Sequence, residues 1–401
     1  MTRHVVSRLG QRGDGIVDAP DGVRHVPKVL AGETVELAGS RVLRVVTPSS
    51  DRIEPFCQHY ATCGGCKFQH WRAEAYRAWK LELVRQALAG QSLPAEVMEL
   101  VDAHGDGRRR VSFHVRKIDG EWRAGFMEQK SHDLAPLDHC PVLVPALQDS
   151  PELAAAFGPL LGECDVALTA AANGLDVSIK AERKATDKRS PALSALFNAR
   201  NLLRLSVNGE VFAMAAPPVA RVGKTMVPLP VQSFLQATET GEEELARLVL
   251  ASRPKKARTA VDLFSGVGTF ALRLAEHMTV AAFDSDRAAI DCLQKAMRMS
   301  QGLKPVSAAA RNLFNAPLTP AELRDFDWAI LDPPRAGAEA QCRALVASQL
   351  RYVTYVSCDL QSFVRDAKMM TQGGFTLRSV TAVDQFKWTP HVELVGTFAR
   401  K

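Results

Sequence analysis

Cys358 is the side chain whose position in this sequence most strongly suggests covalent chemistry. It lies between residues 351–356, whose apolar run predicts a buried strand, and residues 360–370, whose periodicity predicts an amphipathic helix. Open α/β sheets bind their ligands at the carboxyl ends of such strands. The amino terminus of the following helix would favour the thiolate and lower the pKa of the thiol. A lone cysteine is more often a buried packing residue, so its role as a nucleophile depends on the other motifs.

A pair of glycines marks a second point where a predicted strand meets a helix. Gly266 and Gly268 follow the predicted strand at residues 259–264. Glycine lets the chain turn tightly and lets the backbone approach a ligand closely. The next predicted strand ends at Asp284, whose carboxylate can accept hydrogen bonds from ribose hydroxyl groups. Two glycines, instead of the three of the dinucleotide fingerprint, favour S-adenosylmethionine over NAD.

Asp332 and Arg335 flank two prolines directly after a later predicted strand, residues 327–331. The proline rings restrict the backbone, so the carbonyl groups and the two flanking charges are held in fixed positions. A simple turn requires no such pair after an aspartate. The composition and position of this segment therefore indicate a functional site.

Four cysteines could bind a metal centre together. Three fall within ten residues and the fourth lies far along the chain: Cys57, Cys63, Cys66 and Cys140. Four thiolates suit either a zinc ion or an iron–sulfur cluster. Zinc sites more often use two Cys-x-x-Cys pairs, so a compact triplet with one distant cysteine favours a cubane cluster. The isolated cysteines are predicted to be packing residues: Cys164, Cys292 and Cys342.

Residues 108–117 alternate cations with apolar side chains on a predicted strand. One face of such a strand could follow a nucleic-acid backbone. A solvated basic edge strand explains the pattern equally well. Both interpretations stay open at this point.

These residues must be positioned by a predicted framework that changes along the chain. Residues 5–47 alternate short apolar runs with turns, which predicts a small antiparallel β unit. Residues 108–221 predict mostly short strands, interrupted by a polar loop at residues 181–190. After Pro230, strands alternate with helices, which predicts a doubly wound and mostly parallel sheet.

Helix and strand boundaries are predicted at several places. A helix over residues 74–90 should end near Gly90, and Thr240 with Glu243 predicts a capping box for another helix. Two strands, residues 376–383 and 392–399, should close the chain.

Composition restricts the class of protein. The 401 residues suffice for two or three domains, and 46% hydrophobic with 23% charged residues is typical of a globular protein. The net charge of +6 permits a polyanionic partner. We expect a cytoplasmic protein with no membrane partner, because neither a signal peptide nor an apolar stretch of membrane-spanning length is present. A monomer is the default expectation, since the sequence carries no signal for an oligomeric state. Its eight cysteines should then be thiols, ligands or catalysts instead of disulfides.

Taken together, these motifs resemble the RNA (uracil-5-)-methyltransferase family, whose members act on 23S rRNA or on tRNA. The resemblance extends from about Leu9 to the end of the chain. It rests on the cysteine set, the glycine turn, the Asp-Pro-Pro-Arg motif, and on residues 234–236 (Phe-Leu-Gln), 357–358 (Ser-Cys) and 391–393 (His-Val-Glu). The cysteine set and the chain length resemble the ribosomal members, because the tRNA enzyme lacks the cluster. The resemblance therefore favours 23S rRNA as substrate, with tRNA as the alternative.

The resemblance implies a role for each motif. Cys358 would be the nucleophile and Glu393 the general base, while Phe234 and Arg335 would lie near the target base. The contacts to S-adenosylmethionine would be Gln236, Phe264, Gly266, Thr269, Asp284, Asn312 and Asp332. A 4Fe-4S cluster would be held by Cys57, Cys63, Cys66 and Cys140.

The resemblance also implies an α/β fold in three parts. Residues 1–50 would form a short OB-like, truncated TRAM segment that contacts RNA. Residues 51–225 would form a β-rich central domain with the iron–sulfur cluster, and its helix at residues 74–90 is expected to pack on the catalytic domain. Residues 226–401 would form a Rossmann-like class I S-adenosylmethionine-dependent methyltransferase domain.

The chemistry of uracil independently requires a thiolate and a base. C5 of uracil is a poor nucleophile toward a methyl sulfonium, but addition of a thiolate to C6 makes C5 enolate-like. The C5 proton must then be removed before the thiol can leave, which requires a nearby general base. The target base must also leave its RNA stack to reach these groups. Cys358 and Glu393 are chemically suited to the two roles.

Two other functions agree with parts of the sequence. An RNA cytosine-5-methyltransferase would use the same covalent chemistry, but such enzymes typically carry a cysteine near the Asp-Pro-Pro motif, where this chain has Arg335. A non-catalytic iron–sulfur RNA-binding protein would be expected to lack Cys358 or Glu393, and both are present. Methylation of uridine therefore explains more of the sequence than either alternative.

Overall fold

The structure is a computed structural model that describes residues 2–182 and 190–401. Most of the polar loop predicted at residues 181–190 lies outside the described residues. Among the described residues, no helix is both long and apolar enough to cross a membrane.

The amino-terminal segment is built from short strands. Their bounds are β1 (Thr2–Val5), β2 (Arg8–Leu9), β3 (Gly15–Ala19), β4 (Gly22–Val26), β5 (Thr34–Ala38) and β6 (Arg41–Thr47). They form two three-stranded antiparallel sheets, ordered β1-β5-β6 and β2-β3-β4. Apolar side chains including Val17, Val26 and Val35 form a small core. The resemblance predicts an OB-like arrangement for this segment. The strands form two separate sheets and not one closed barrel, so the OB-like arrangement stays a prediction.

The next segment contributes to the carboxyl-terminal sheet, although it comes early in the chain. It contains helix α1 (Ala73–Gly90) and the short strands β7 (Glu96–Val97) and β8 (Val101–Asp102). Helix α1 buries Tyr76, Lys80, Leu83, Val84 and Leu88. The domain boundary predicted at residue 226 places this segment in the central domain. In the structure, β7 and β8 pair with a strand of the carboxyl-terminal sheet.

The central region is a seven-stranded sheet. Its elements are β9 (Arg110–Ile118), β10 (Glu121–Met127), β11 (Leu134–Pro136), a 3-10 turn (Pro145–Leu147), α2 (Ser150–Ala155), α3 (Gly158–Leu161), β12 (Cys164–Ala171), β13 (Gly174–Ala181), α4 (Ser190–Ala199), β14 (Arg204–Val207) and β15 (Glu210–Met214). The strand order is β11-β10-β9-β12-β13-β14-β15, antiparallel except for the β13/β14 pair. Phe113, Phe157 and Leu168 are fully buried in its core. A separate hairpin follows: β16 (Val219–Val222) and β17 (Thr225–Pro228).

The carboxyl-terminal region is a sheet covered by helices. Its elements are α5 (Glu239–Ala251), β18 (Thr259–Leu263), α6 (Ala271–Ala275), β19 (Thr279–Asp284), α7 (Arg287–Met299), β20 (Val306–Ala310), a 3-10 turn (Glu322–Asp325), β21 (Trp328–Leu331), α8 (Glu339–Ala347), β22 (Tyr352–Ser357), α9 (Leu360–Gln372), β23 (Thr376–Asp384) and β24 (Glu393–Ala399).

The topology of this sheet confirms the predicted doubly wound arrangement. The strand order is β20-β19-β18-β21-β22-β24-β23-β7, with β8 also paired to β23. Strands β18 to β22 run parallel, and β24 is antiparallel to β22. The parallel strands β18, β21 and β22 are almost entirely buried, as expected for strands that helices cover on both faces. Because the strands are parallel, their carboxyl ends lie at one edge, where Asp284 ends β19 and where Phe264, Asp332 and Cys358 follow their strands.

Helix α5 begins at a different residue from the one that the sequence indicates. The predicted capping box of Thr240 and Glu243 is wrong, because Thr238 is the cap. Thr238 has an extended backbone, and its hydroxyl oxygen accepts a 2.9 Å hydrogen bond from the amide of Gly241. Thr240 lies inside the first turn of α5, so its side chain does not occupy the capping position from which the free amides of that turn are bonded.

Candidate active site

A cleft of about 720 Å³ lies between the central sheet and the carboxyl edge of the parallel sheet. Five of the residues singled out in the sequence line it together: Phe234, Gln236, Arg335, Cys358 and Glu393. Strand β9 and the segment just before it supply part of the opposite wall through Arg108, Arg110, Val111 and Ser112. The fold therefore brings the predicted nucleophile, the predicted base and the predicted substrate residues into one cleft.

Cys358 follows β22 and is half-buried. Burial and the negative charges of Glu393 and Asp332 raise the pKa of its thiol to about 12, while the guanidinium of Arg335 opposes that shift. The net pKa of the thiol is therefore raised, although the helix amino terminus is predicted to lower it. A carboxylate oxygen of Asp359 already accepts a 2.8 Å hydrogen bond from the amide of Ser362 at that terminus. Burial, followed by the two carboxylates across the cleft, outweighs the groups that lower this pKa.

Glu393 is the first residue of β24, and only 2% of it is exposed. Burial raises the pKa of its carboxyl group to about 8, although a hydrogen bond from Gln385 and the charge of Arg335 lower it. Its Oε2 atom is buried and has no hydrogen-bond partner among the residues that the structure describes. A carboxylate with a free acceptor atom and a pKa near neutrality is suited to remove a proton from a bound substrate.

Gln236 connects Gln385, the first residue after β23, to the carboxyl edge of β21. Its Nε2 donates a 3.2 Å hydrogen bond to Oδ2 of Asp332, and its Oε1 accepts a 2.8 Å hydrogen bond from Gln385. Burial, and then the charges of Glu393, Asp262 and Asp284, raise the pKa of Asp332 well above its ordinary value. Gln385 was not identified in the sequence, because a glutamine at the end of a strand carries no motif.

The glycine turn is held open by Asp284. The amides of Gly266 and Asp286 each donate a 2.8 Å hydrogen bond to one of its carboxylate oxygens. Both Phe264 and Gly266 have positive φ, at 66° and 53°. A Cβ atom added to Gly266 would meet no atom within 4 Å. The turn thus leaves open space beside its backbone at Gly266, as a nucleoside site requires.

The remaining predicted cofactor residues lie around this turn. The rings of Phe264 and Phe314 lie 5.5 Å apart, so the loop after β20 approaches the turn. Asn312 is exposed in that loop, and its Oδ1 accepts a 3.0 Å hydrogen bond from the amide of Phe314. Thr269 lies just after the turn and is half-buried, and its carbonyl oxygen accepts a hydrogen bond from Arg273.

Asp262 is a residue of this edge to which the sequence analysis gave no role. It is fully buried, and its Oδ2 accepts a 2.7 Å hydrogen bond from the amide of Ala271. Its Oδ1 has no partner within the described part of the chain. Burial raises the pKa of this carboxyl group to about 7. The sequence signal that could have identified Asp262 is an aspartate within the apolar run of β18. Burial of a carboxyl group costs free energy, so such a residue is expected to have a function or a partner.

Phe234 is presented at the mouth of the cleft. The residue is 69% exposed, and the guanidinium of Arg110 lies 5.3 Å from its ring centre. Arg110 also donates a 2.8 Å hydrogen bond to the carbonyl oxygen of Leu235, which fixes the segment. An exposed aromatic ring supported by a cation is suited to stacking on an unpaired base.

Strand β9 is an internal strand of the central sheet, between β10 and β12. The interpretation of residues 108–117 as a solvated edge strand is therefore wrong. Their cations are divided between two tasks. Arg109 is buried and bonds to Glu242 and to the carbonyl oxygen of Gln236, whereas Arg108 and Arg110 line the cleft.

Four cysteines line one cavity of about 200 Å³ beside the cleft: Cys57, Cys63, Cys66 and Cys140. Burial raises the pKa of three of these thiols. The pKa of Cys63 is raised, that of Cys66 is raised to about 12, and that of Cys140 is raised to about 11. The amide of Gly65 donates a 3.3 Å hydrogen bond to the sulfur of Cys63. The cysteines predicted to pack lie apart from this cavity, with Cys164 and Cys342 buried and Cys292 half-buried.

No group of three or more His, Cys, Asp or Glu side chains within residues 2–182 and 190–401 is arranged to hold a metal ion. Four thiols that line one cavity are a donor set that either a zinc ion or an iron–sulfur cluster could take.

Comparison with known proteins agrees with this geometry. A family model described as tRNA (Uracil-5-)-methyltransferase matches residues 225–401. An RNA methyltransferase of Brucella suis, described as uncharacterized, is 40% identical over 98% of this chain and 97% of the relative. The 23S rRNA (uracil(1939)-C(5))-methyltransferase RlmD of Halomonas elongata is 32% identical over 97% of this chain and 87% of the relative.

A solved structure is similar over the whole chain. It is the Pyrococcus abyssi tRNA (uracil-54, C5)-methyltransferase in complex with S-adenosyl-L-homocysteine, with a TM-score of 0.76, 22% identity and 99% coverage of both chains. This likeness shows that the fold is that of a class I S-adenosylmethionine-dependent methyltransferase. With two relatives above 30% identity along nearly their whole lengths, the chain belongs to the RNA (uracil-5-)-methyltransferase family and is a transferase of that kind.

Proposed function

We propose that this enzyme transfers a methyl group from S-adenosylmethionine to C5 of a uridine in RNA, with Cys358 as nucleophile and Glu393 as general base. The observation that carries the proposal is that both side chains line one cleft, together with Arg335, Phe234 and Gln236. Neither a thiol nor a carboxyl group alone would suffice, because the reaction requires covalent activation and later proton removal.

The proposed reaction uses these groups in turn. The Cys358 thiolate adds to C6 of uracil, and the electron pair of the C5–C6 double bond shifts so that C5 attacks the methyl group of the donor. S-adenosylhomocysteine leaves, and C5 then carries both the new methyl group and its original proton. Glu393 removes this proton, the double bond reforms, and the bond between C6 and the sulfur breaks to release 5-methyluridine and the thiolate.

Arg335 and the methyl donor would both favour the reactive ionisation states. The guanidinium of Arg335 already lowers the pKa of Cys358 and of Glu393. A bound sulfonium would add a second positive charge beside Asp332 and Gln236. The reactive form of each group, a thiolate or a carboxylate, is an anion. Added positive charge would therefore shift each group toward its reactive form. We therefore expect cofactor binding to activate the thiol, which the protein alone keeps protonated.

The methyl donor is proposed to bind along the carboxyl edge of β18, β19 and β21. Gly266 offers open space, and Phe264 and Asp284 flank it. Asp332 and Gln236 would lie toward the reacting methyl group, and Thr269 and Asn312 would be peripheral contacts. The target uridine would stack on Phe234 after leaving the RNA stack.

23S rRNA is the substrate that we favour. The relative named RlmD, which is a 23S rRNA enzyme by its name, matches nearly the whole of this chain. The cysteine quartet also resembles that of the ribosomal members. We further propose that Cys57, Cys63, Cys66 and Cys140 hold a 4Fe-4S cluster, which is supported by their shared cavity. The cluster would stabilise the central region and take no part in methyl transfer.

The test is methylation of defined RNAs in vitro. Purified enzyme would be incubated with deuterium-labelled methyl donor and unmodified 23S rRNA or tRNA, and the digested nucleosides would be analysed by mass spectrometry. We expect labelled 5-methyluridine from 23S rRNA. Label in 5-methylcytidine would show that the uridine assignment is wrong, and label only from tRNA would overturn the substrate proposal. Matched reactions with Cys358→Ala enzyme should incorporate no label.

A further inference from the structure

The cavity that the four cysteines line also has two residues with unpaired N–H groups in its wall. Gln69 is one of them, and only 2% of it is exposed. Its Nε2 is buried and has no hydrogen-bond partner among the residues that the structure describes. Arg108 is the other, and its Nε is buried without a partner in the same described part of the chain. Burial of an unpaired donor costs free energy, so we expect an occupant of the cavity to accept from both.

The orientation of both residues is fixed by backbone hydrogen bonds. Oε1 of Gln69 accepts a 3.2 Å hydrogen bond from the amide of Cys57. A backbone amide can only donate, so this contact identifies the oxygen of the side chain and leaves Nε2 as its free donor. The amide of Arg108 donates a 2.9 Å hydrogen bond to the carbonyl oxygen of Val142, and its own carbonyl oxygen accepts a 3.0 Å hydrogen bond from the amide of Val144. The segments that carry the cysteines therefore hold both donors beside the cavity.

The chemistry of the cavity favours donation to sulfur. One such hydrogen bond is already present, from the amide of Gly65 to the sulfur of Cys63. Four thiolates leave a bound metal centre with net negative charge, which N–H donors stabilise. Lys28 does not fill this need, because its ammonium group donates to the carbonyl oxygens of Tyr60, Ala61 and Cys63. The two unpaired donors thus remain available to the sulfur atoms of the centre.

We propose that Gln69 and Arg108 are positioning residues of the metal centre, each donating a hydrogen bond to one of its sulfur atoms, and that Arg108 presents its other N–H groups to RNA in the cleft. Arg108 lines the cleft as well as the cavity, so it lies in the wall that the two sites share. A guanidinium group has five N–H donors and can serve both sides. This inference rests on the proposed function and on the proposed 4Fe-4S cluster. It gives the cluster a link to RNA binding without a part in methyl transfer.

The first experiment measures the reduction potential of the cluster in Gln69→Met. Protein purified without oxygen would be poised with dithionite and redox mediators, and the absorbance of the cluster would report its one-electron reduction. A hydrogen bond to sulfur favours the more negative, reduced cluster, so at one applied potential we expect the ratio of oxidised to reduced cluster to rise at least roughly threefold in the variant. Gln341→Met is the matched control, because Gln341 is also fully buried but bonds to the backbone of Leu318, outside the cavity. If Gln69→Met does not retain the cluster, Gln69→Asn, with a shorter amide, is measured with the same expectation.

The second experiment measures the same potential with and without unmodified 23S rRNA at saturating concentration. Bound RNA would draw the guanidinium of Arg108 toward its phosphates and away from the cluster, so the ratio of oxidised to reduced cluster should rise at least roughly threefold in the wild type. In Arg108→Met this effect of RNA should be mostly lost. Arg110→Met is the matched control, because Arg110 lines the same wall but its guanidinium bonds to the carbonyl oxygen of Leu235. It should weaken RNA binding and keep the effect of bound RNA on the potential.

The outcomes are distinct. An unchanged potential in Gln69→Met, or an equal change in Gln341→Met, would overturn the role of the donors. An effect of RNA on the potential that survives in Arg108→Met, or that is lost equally in Arg110→Met, would overturn the link to the cleft. Absence of iron and sulfide from the wild-type protein would contradict the cluster and this inference together. Failure of a cluster-loaded enzyme to methylate RNA would contradict the proposed function alone, since the potential of Gln69→Met is measured without RNA.

Discussion

Lys80 of α1 donates a 2.5 Å hydrogen bond to the carboxylate of Asp384 at the end of β23, across 304 positions of sequence. The ammonium group of Lys80 also donates to the carbonyl oxygens of His391, at 2.6 Å, and Phe386, at 3.4 Å. The hydroxyl of Tyr76, one turn earlier on α1, donates a 2.8 Å hydrogen bond to the same carboxylate. Helix α1 thereby fixes the loop that carries Gln385 and leads to Glu393.

Removal of this buried cation should destabilise the protein strongly. Lys80→Met leaves the carboxylate of Asp384 buried without its cation and leaves two carbonyl groups without a donor. We expect the free energy of unfolding to fall by about 3–5 kcal/mol, measured by urea denaturation. The double variant Lys80→Met/Asp384→Asn should recover part of that loss, because it removes the unpaired charge. A Lys80→Met protein as stable as the wild type would show that the pair does not hold the loop.

The glycine turn offers a comparison between cofactor binding and folding. Gly266→Ala places a side chain in open space at positive φ, so we expect a modest stability loss of about 1–2 kcal/mol. It should nevertheless weaken S-adenosylmethionine binding at least roughly tenfold, because the new methyl group occupies space proposed for the ligand. Isothermal titration calorimetry would measure this.

Gly268→Ala is the matched control for that experiment. A Cβ atom there would lie 2.5 Å from Cδ1 of Leu293, which is buried in the core. Its main effect should therefore be lost stability, of about 1–3 kcal/mol, with a smaller effect on the ligand. Tight binding by Gly266→Ala would contradict the proposed position of the cofactor.

The four cysteines should bind iron and sulfide. Protein purified without oxygen is expected to contain about four iron atoms and four sulfides per chain. Cys140→Ser should lose most of both, whereas Cys164→Ser, which alters a buried cysteine of the central core, should keep them. Zinc in place of iron, or equal iron content in the two variants, would contradict the cluster proposal.

The pH dependence of catalysis should report the ionisation of Glu393. Its raised pKa of about 8 means that the group is protonated, and inactive as a base, below that pH. As pH falls through about 8, the slope of log(kcat/KM) against pH should therefore increase by about one. Arg335→Met should move this break to higher pH, because the guanidinium lowers the pKa of Glu393. A rate independent of pH between 6 and 9 would exclude Glu393 as the base.

The same pKa shift predicts an effect on stability. A carboxyl group whose pKa is higher in the folded than in the unfolded protein stabilises the fold at low pH, and this contribution is lost as pH rises through the folded pKa. Glu393→Gln removes the charge that must otherwise be buried. At pH 9 we expect Glu393→Gln to raise the unfolding midpoint by about 2–4 °C, and at pH 5 to change it little. An equal effect at both pH values would contradict the assigned pKa.

The sequence predicted those parts of the site that depend on local pattern. Cys358 and Asp332 lie at strand ends because apolar runs terminate there, and such runs are readable without a structure. Gln385 and Lys80 were not assigned roles, because their partners are distant in sequence and their burial leaves no periodic signal. The net rise in the pKa of Cys358 was not predicted, since it results from burial and from the carboxylates of Glu393 and Asp332, which belong to other strands or strand ends.

The most direct test of the account is whether the enzyme forms a covalent adduct with RNA through Cys358. Purified protein and S-adenosylmethionine would be mixed with RNA that contains 5-fluorouridine and separated on a denaturing gel. Fluorine at C5 cannot be removed as a proton, so the methylated adduct should persist. We predict a shifted band with wild-type protein and none with Cys358→Ala, whereas Cys164→Ala should behave as wild type. A protein that binds S-adenosylmethionine but forms no adduct, or an adduct that survives in Cys358→Ala, would contradict the proposed mechanism.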